Sequence, residues 1–256
     1  MTYLRSWIIP SYLNTEYLNL NNKGAVFLLN HFKDGINKWF CEIDDDKVID
    51  YLRENPDEIN WFYLSLNRNE KAIRLLEENK NKINWGNLNT NPSAFELLMK
   101  NKDKIDWYCL CFNSNPKAIE FLSLNKNKIN WMNLSSNSSA IAILKENEDK
   151  IDWKEFSKNS NEEAIALFKG NEEKLDWRNL SKNPVAIELL KKNPDKINWI
   201  DLCYNKNLEA IELLKKNPDK INWSVLSSNP SAIELLEENK QKIDWFYLSY
   251  NEAIFI

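Results

Sequence analysis

The chain has a single histidine, His31, in 256 residues. Ser-His or Cys-His catalysis needs that imidazole beside a nucleophile, and no nucleophile motif surrounds it, so His31 reads as a cap or core residue. Glycine is almost as scarce, with only Gly24, Gly35, Gly86 and Gly170, and no two are close enough to cradle a phosphate. With only 8 prolines as well, the chain lacks the turn residues that a sandwich or barrel consumes, which favours helices. The 4 cysteines, Cys41, Cys109, Cys111 and Cys203, follow no CxxC spacing, so no zinc site is expected. They read as buried or semi-buried free thiols in a reducing compartment. No run approaches the roughly 18 apolar residues of a membrane span. The N-terminal stretch MTYLRSWIIPSYLNTEYLNL lacks the apolar region and cleavage site of a signal peptide. The expected setting is therefore intracellular and soluble. Net charge is −4 and the pI about 5.4, without the basic excess usual in nucleic-acid binders. Lysines such as Lys191, Lys192, Lys215 and Lys216 are interspersed with Glu, so nucleic acid is not the expected partner.

What the chain does have is tryptophan at regular intervals and 39 asparagines. After Trp7, tryptophans fall at Trp39, Trp61, Trp85, Trp107, Trp131, Trp153, Trp177, Trp199, Trp223 and Trp245, in steps that alternate between 22 and 24 residues without exception. The mean unit is 23 residues and the super-unit 46. From the conserved-phase Ala to the next Trp is always 13 residues, as in Ala72 to Trp85 and Ala232 to Trp245. Long units carry an extra Asn-x before that Ala: Asn67-Arg68, Asn113-Ser114, Asn159-Ser160 and Asn205-Lys206.

The unit reads N-P-x-A-I-x-L-L-x-x-N-x-x-K-I-N/D-W-x-x-L-S. Asn91, Asn115, Asn183 and Asn229 precede Pro, the order expected of an N-cap and the first helical position. The apolar residues of Ala186-Ile187-Glu188-Leu189-Leu190 share one helix face. Asn79, Asn101, Asn125, Asn147, Asn171, Asn193, Asn217 and Asn239 follow, where Asn tolerates the left-handed conformation that ends helices. This gives a helix B of about ten residues. Asn or Asp then caps a helix A that starts at Trp and runs about six or seven residues, marginal in isolation. Short helices of this kind must stack on their neighbours, which is the logic of a solenoid. Ile, Trp, Leu, Ala, Ile, Leu and Leu of each unit should form the core, so Trp153→Ala is expected to cost about 3–5 kcal/mol. The 46-residue alternation suggests that one turn holds two units, with tryptophans 46 apart stacked directly.

The expected fold is thus all-α, an α-solenoid of short helix pairs in alternating 22- and 24-residue units. Residues 1–38 form a divergent N-terminal cap with a first partial repeat, including a helix B at Ala25–Leu29, and residues 39–256 form the solenoid as one continuous domain. Val48–Leu52 fits a helix B, and Asp44-Asp45-Asp46 fits its N-terminal turn better than a cation site.

The phrase N-P-x-A-I-x-L-L-x-x-N-P-D-K-I-N-W-x-x-L-S, nearly intact in Asn183–Leu202 and Asn207–Leu226, resembles short-repeat proteins of giant DNA viruses and their relatives. The resemblance spans about residues 25–256. Those proteins are sometimes labelled ankyrin-like, although the T-P-L-H-x-A phrase is absent here. The resemblance implies a repeat architecture, no catalytic residues, and a setting in host cytoplasm or virion if the chain is viral.

No catalytic residues, cofactor or metal are expected, and the expected function is a protein-interaction scaffold. Five residues after Trp, long units carry Leu66, Phe112, Lys158, Tyr204 and, in the last unit, Tyr250, whereas short units carry Thr90, Ser136, Lys182 and Ser228. Further aromatics follow Trp directly. Tyr63, Leu66, Tyr108, Phe112, Tyr204, Phe246, Tyr247 and Tyr250 make up a candidate partner-binding stripe, since Tyr and Phe are enriched at interfaces. The alternative is that they cover the longer turn or fill space between layers. The apolar C-terminus, Ala253-Ile254-Phe255-Ile256, tucks under the last layer or joins copies end to end in a virion or other assembly.

Overall fold

The structure, a computed structural model, describes residues 4–8, 12–13 and 41–255. His31, Trp39, Gly24, Gly35 and the helix expected at residues 25–29 lie outside the described residues. Among those described there is no strand, only helices and one isolated bridge between Leu4 and Phe255. No described helix is long and apolar enough to cross a membrane.

The chain divides into two compact units, Ile36–Asp152 and Met1–Gly35 with Trp153–Ile256. The first contains α1 (Asp46–Glu54), α2 (Trp61–Leu64), α3 (Glu70–Glu78), α4 (Trp85–Thr90), α5 (Phe95–Met99), α6 (Trp107–Leu110), α7 (Pro116–Ser123), α8 (Trp131–Ser136) and α9 (Ile141–Lys145). The second contains α10 (Trp153–Phe156), α11 (Ala164–Phe168), α12 (Trp177–Lys182), α13 (Ile187–Lys192), α14 (Trp199–Leu202), α15 (Leu208–Lys215), α16 (Trp223–Ser227), α17 (Ile233–Glu238) and α18 (Trp245–Leu248). Even-numbered helices are helix A of the repeat and odd-numbered ones helix B. Both run shorter than the sequence pattern suggests, because 3-10 turns take over at their ends.

Stacking follows single repeats, which corrects the expectation of two repeats per turn. The reason lies in a column of buried asparagines. In the first unit Asn91 Nδ2 donates to the carbonyls of Ser65 (3.1 Å) and Asn67 (2.7 Å). Asn113 donates to Asn89 and Asn91, and Asn137 to Cys111 and Asn113. In the second unit Asn183 donates to Ser157 and Asn159, Asn205 to Ser181 and Asn183, Asn229 to Cys203 and Asn205, and Asn251 to Ser227 and Asn229. Each ladder Asn thus binds the carbonyl of the preceding ladder Asn and that of the residue two before it. Its Oδ1 accepts from the N–H two residues on, as Asn91 does from Ser93. A buried amide so placed has every hydrogen-bonding group engaged, which is the condition for burying it without loss.

This also explains the alternation. The extra Asn of a long unit is not a spacer; Asn67, Asn113, Asn159 and Asn205 are the ladder members there. The second Asn, two residues later, is the helix cap: Asn69, Asn115 and Asn207 accept from Lys71, Lys117 and Glu209. Helix B then starts at once and spans eight or nine residues in α3, α7 and α15. In a short unit one Asn does both jobs. A 3-10 turn follows it, and helix B shrinks to five or six residues in α5, α9, α13 and α17.

A second column stands four residues after each Trp. Ser181 Oγ donates to Trp177 O (2.7 Å) and accepts from Asn198 N–H (3.0 Å), the cap of the next helix A. Ser65, Ser135, Ser157 and Ser227 likewise tie their own Trp carbonyl to the following cap. Asn89 substitutes in one coil. Cys111 and Cys203 occupy the same position, their thiols donating to the Trp107 and Trp199 carbonyls. All 4 cysteines are free; Cys41, Cys111 and Cys203 are buried and Cys109 is half-buried. Burial pushes the thiols of Cys41, Cys111 and Cys203 up, partly offset by N–H groups of Asn60, Asn130 and Asn222.

The core proper is Leu of helix A with Ala and Leu of helix B: Leu88, Ala94 and Leu98 are fully buried, as are Leu180, Leu190 and Leu226. The described tryptophans are half-buried at the edge of it, which corrects their expected place inside. Lysines of the following loop lie over several indoles, Lys196 at 4.6 Å from Trp177 and Lys242 at 4.5 Å from Trp223. That geometry gives the repeat's Lys a cation–π role. Trp153→Ala should accordingly cost less than the about 3–5 kcal/mol of a fully buried ring.

The Asn after helix B does not turn left-handed. Asn79 has φ −123° and ψ 50°, and no described residue other than Gly170 has positive φ. These asparagines instead donate from Nδ2 to the carbonyl four residues back, as Asn79 does to Leu75 at 2.9 Å, and leave the chain free to enter a 3-10 turn. At α1, Asp45 is the N-cap, accepting from Lys47 and Val48, and Asp46 lies in the first turn, in line with the sequence reading.

In the second unit the last coil is covered by the chain's own N-terminal segment. Ile8 and Leu13 join Ile233, Leu236, Ile243, Leu248, Ile254 and Phe255 in one apolar cluster. Arg5 N–H donates to Ile254 O (2.9 Å), and its Nε to Ala253 O (2.8 Å). Ile254 and Phe255 are therefore buried within the chain, and the surface on which the end-to-end joining of copies depended is occupied.

Candidate partner-binding face

Helix A is capped by the Asn or Asp before Trp, as Asp106 does for α6 by accepting from Tyr108 and Cys109 N–H. Its Leu and the residue four after Trp point into the core. The positions one and five after Trp are thereby left on the outer side, one helical turn apart. This is why the variable residues gather on one face in each unit.

In the first unit Tyr108 is 56% exposed and Phe112 44%, their rings 6.3 Å apart and edge-to-face. Tyr63 and Leu66 are half-buried; Tyr63 packs edge-to-face on Phe62, which is itself exposed. In the second unit Tyr204, Phe246 and Tyr247 are exposed and Tyr250 is half-buried against Phe246, centroids 5.8 Å apart. The eight candidate residues thus fall as four in each unit.

The aromatic criterion passed over Met132 and Ile200, both exposed one residue after Trp. It also missed an ionic cluster. Asp201, two residues after Trp199, is 3% exposed and receives Arg178 Nε and Lys182 Nζ, each at 3.0 Å. Burial works against ionisation of Asp201, but the bonds from Lys182 and Arg178 outweigh it and hold the carboxyl below the usual range. Lys182 Nζ also stands 5.4 Å over the Tyr204 ring. The available signal was a base at Trp+1 and Trp+5 of one unit facing an acid at Trp+2 of the next. Three other units carry Asn at that position; Asn87, Asn133 and Asn179 donate to the carbonyls of Phe62, Tyr108 and Lys154.

Elsewhere a cavity of about 470 Å³ adjoins α11 and α13, lined by Ile165, Phe168, Val185 and Leu189 among others. It opens where helix B is short and the chain turns at Gly170, φ +89°. Among the described residues no cluster of three or more His, Cys, Asp or Glu is placed to hold a metal ion. Compared with known proteins, the chain matches no family model, no curated protein and no solved structure. The fold by itself defines the class, an all-α repeat solenoid whose coils are tied by asparagine and serine columns.

Proposed function

We propose that the chain is a non-enzymatic protein-interaction scaffold that engages a partner along the helix A face of its coils. The observation that carries this reading is the exposure of Tyr108, Phe112, Tyr204, Phe246 and Tyr247 at repeat positions whose neighbours are fixed by buried hydrogen bonds. Aromatic side chains held on a rigid frame lose little entropy on binding and are the usual anchors of protein interfaces. Exposed apolar residues on the helix B side, Leu124 and Leu208, stand singly, which is ordinary for a protein surface.

The resemblance of the repeat phrase to giant-virus proteins makes infected host cells the first source in which to seek the partner. Affinity capture compares the wild-type chain with a Tyr108→Ala, Phe112→Ala, Tyr204→Ala variant. The expected result is a protein recovered by the wild type and lost from the variant, with both melting at similar temperature. Recovery of no protein, or equal recovery by both, overturns the reading.

A further inference from the structure

In the second unit the helix A face is graded in character. α10 and the turn after it carry Lys154, Glu155 and Lys158; α12 carries Arg178 and Lys182; α14 and its following turn carry Ile200, Asp201 and Tyr204; α18 and its following turn carry Phe246, Tyr247 and Tyr250. The hydrogen bonds between successive coils fix this order, and α12 packs on α14 as α16 does on α18. Between the rings of α14 and α18, α16 offers only Ser224 and Ser228 at the matching positions, both half-buried. A coil without bulk thus lies between two aromatic walls.

The cationic end is built rather than incidental. Asp201 is buried and takes hold of Arg178 through Nε only, at 3.0 Å, so the terminal Nη groups of the fork are not spent on it. Arg178 and Lys182 stay largely exposed, with 73% and 47% of their side-chain surface open. Ordering two long cations in advance removes part of the entropy that a partner would otherwise have to supply. Lys154 is exposed and has no carboxylate partner among the described residues. Lys158 is paired with Glu155 and Asp176 lies near Arg178, which leaves Lys154, the Nη groups of Arg178 and the half-exposed Lys182 as the cations open to a partner, in a chain of net charge −4.

We propose that this face binds a protein segment with carboxylates at one end and aromatic or aliphatic side chains at the other, the carboxylates meeting Lys154, Arg178 and Lys182 and the apolar groups meeting Tyr204 and Phe246. The proposal rests on the scaffold reading above and adds the chemistry of the partner. Electrostatic complementarity sets register and polarity, since reversing the segment would bring its acids onto the aromatic end. A nucleic acid fits less well, because Glu155 and Asp201 sit among the cations and there is no continuous basic track for successive phosphates.

The test is selection of random peptides displayed on phage against the whole chain, followed by anisotropy titration of the enriched peptides and of a labelled oligothymidylate. The expected peptides are rich in Asp or Glu toward one end and in Phe, Leu or Trp toward the other. Their affinity should fall roughly tenfold or more with Lys154→Glu, Arg178→Gln, and should weaken with salt. Arg178→Gln leaves Asp201 paired with Lys182; if the double variant melts early, Lys154→Glu alone carries the comparison. Neutral or basic peptides whose binding is lost with Tyr204→Ala would overturn the charge assignment and leave the scaffold reading standing. Enrichment of no peptide would overturn both. Oligothymidylate binding that is tighter than peptide binding and lost with Lys154→Glu would overturn the proposal in favour of nucleic acid.

Discussion

Asn205 and Asn207 stand two residues apart in one turn, and replacing each by alanine should have different consequences. Asn205 is fully buried. Its Nδ2 donates to Ser181 O at 2.9 Å and Asn183 O at 3.0 Å, and its Oδ1 accepts from Asn207 N–H at 2.9 Å. In Asn205→Ala the Asn183 carbonyl keeps the N–H of Ala186, but the Ser181 carbonyl and the Asn207 N–H lose these partners. A buried carbonyl and a partly buried N–H left wanting at about 1–3 kcal/mol each give a loss of about 2–6 kcal/mol. Asn205→Asp should be at least as damaging, since it keeps the acceptor while aiming a carboxylate at two carbonyls. Asn207 is a partly buried N-cap, accepting from Glu209 N–H and donating to Pro184 O. Asn207→Ala should cost about 1 kcal/mol, the ordinary price of a lost cap. Urea unfolding followed by tryptophan fluorescence and circular dichroism measures both. Equal losses for the two variants, or a loss below about 1 kcal/mol for Asn205→Ala, would refute the ladder argument.

Three further outcomes follow from the same geometry. Iodoacetamide under native conditions should modify the half-buried Cys109 first, with Cys41, Cys111 and Cys203 protected until unfolding because they are covered, all four thiols being pushed up by burial; mass spectrometry of a time course reads the order, and early labelling of Cys203 would contradict it. The Asp201 carboxyl is held below its usual value, so its stabilising contribution is complete above about pH 4 and is lost as pH falls below that. Urea midpoints should therefore drop more steeply in acid for the wild type than for Asp201→Asn, and parallel curves would show the pair to be idle. Gly170→Ala should destabilise by about 1 kcal/mol, although nothing lies within 4 Å of the added Cβ, because the cost is in the positive φ and not in crowding; a thermal melt unchanged from wild type would contradict this.

Much of the fold was legible because tryptophan, alanine and leucine recur at fixed phases, which set helix type, order and period. What the period left open was the identity of nearly identical letters. Asn115 and Asn183 both precede Pro, yet one caps a helix and the other is a buried ladder member. Only the coil stacked beneath distinguishes them, since Asn183 donates to the Ser157 and Asn159 carbonyls of that coil and Asn115 to the carbonyl of Pro92. The placement of Trp was misjudged for a related reason. A large apolar ring suggests core, but the fully buried layer is already filled by Leu and Ala, and the indole serves as an edge covered by lysine. The candidate face was read from aromatics alone, which located Tyr108, Phe112 and Tyr204 but passed over Arg178, Lys182 and Asp201. An ion pair between helices from successive coils becomes visible only once the stacking register is known. That register is one repeat per coil, not two.

The central claim is that a repeated frame holds the coils together while the helix A face meets the partner. Site-specific photo-crosslinking tests it most directly, with benzoylphenylalanine placed in separate variants at Tyr108 and Tyr204 on that face and at the exposed Leu124 and Leu208 on the helix B side. The account predicts that irradiation in cells expressing the partner yields protein adducts from Tyr108 or Tyr204 and none from Leu124 or Leu208. Adducts arising only from the leucine positions, or equally from all four, would contradict it.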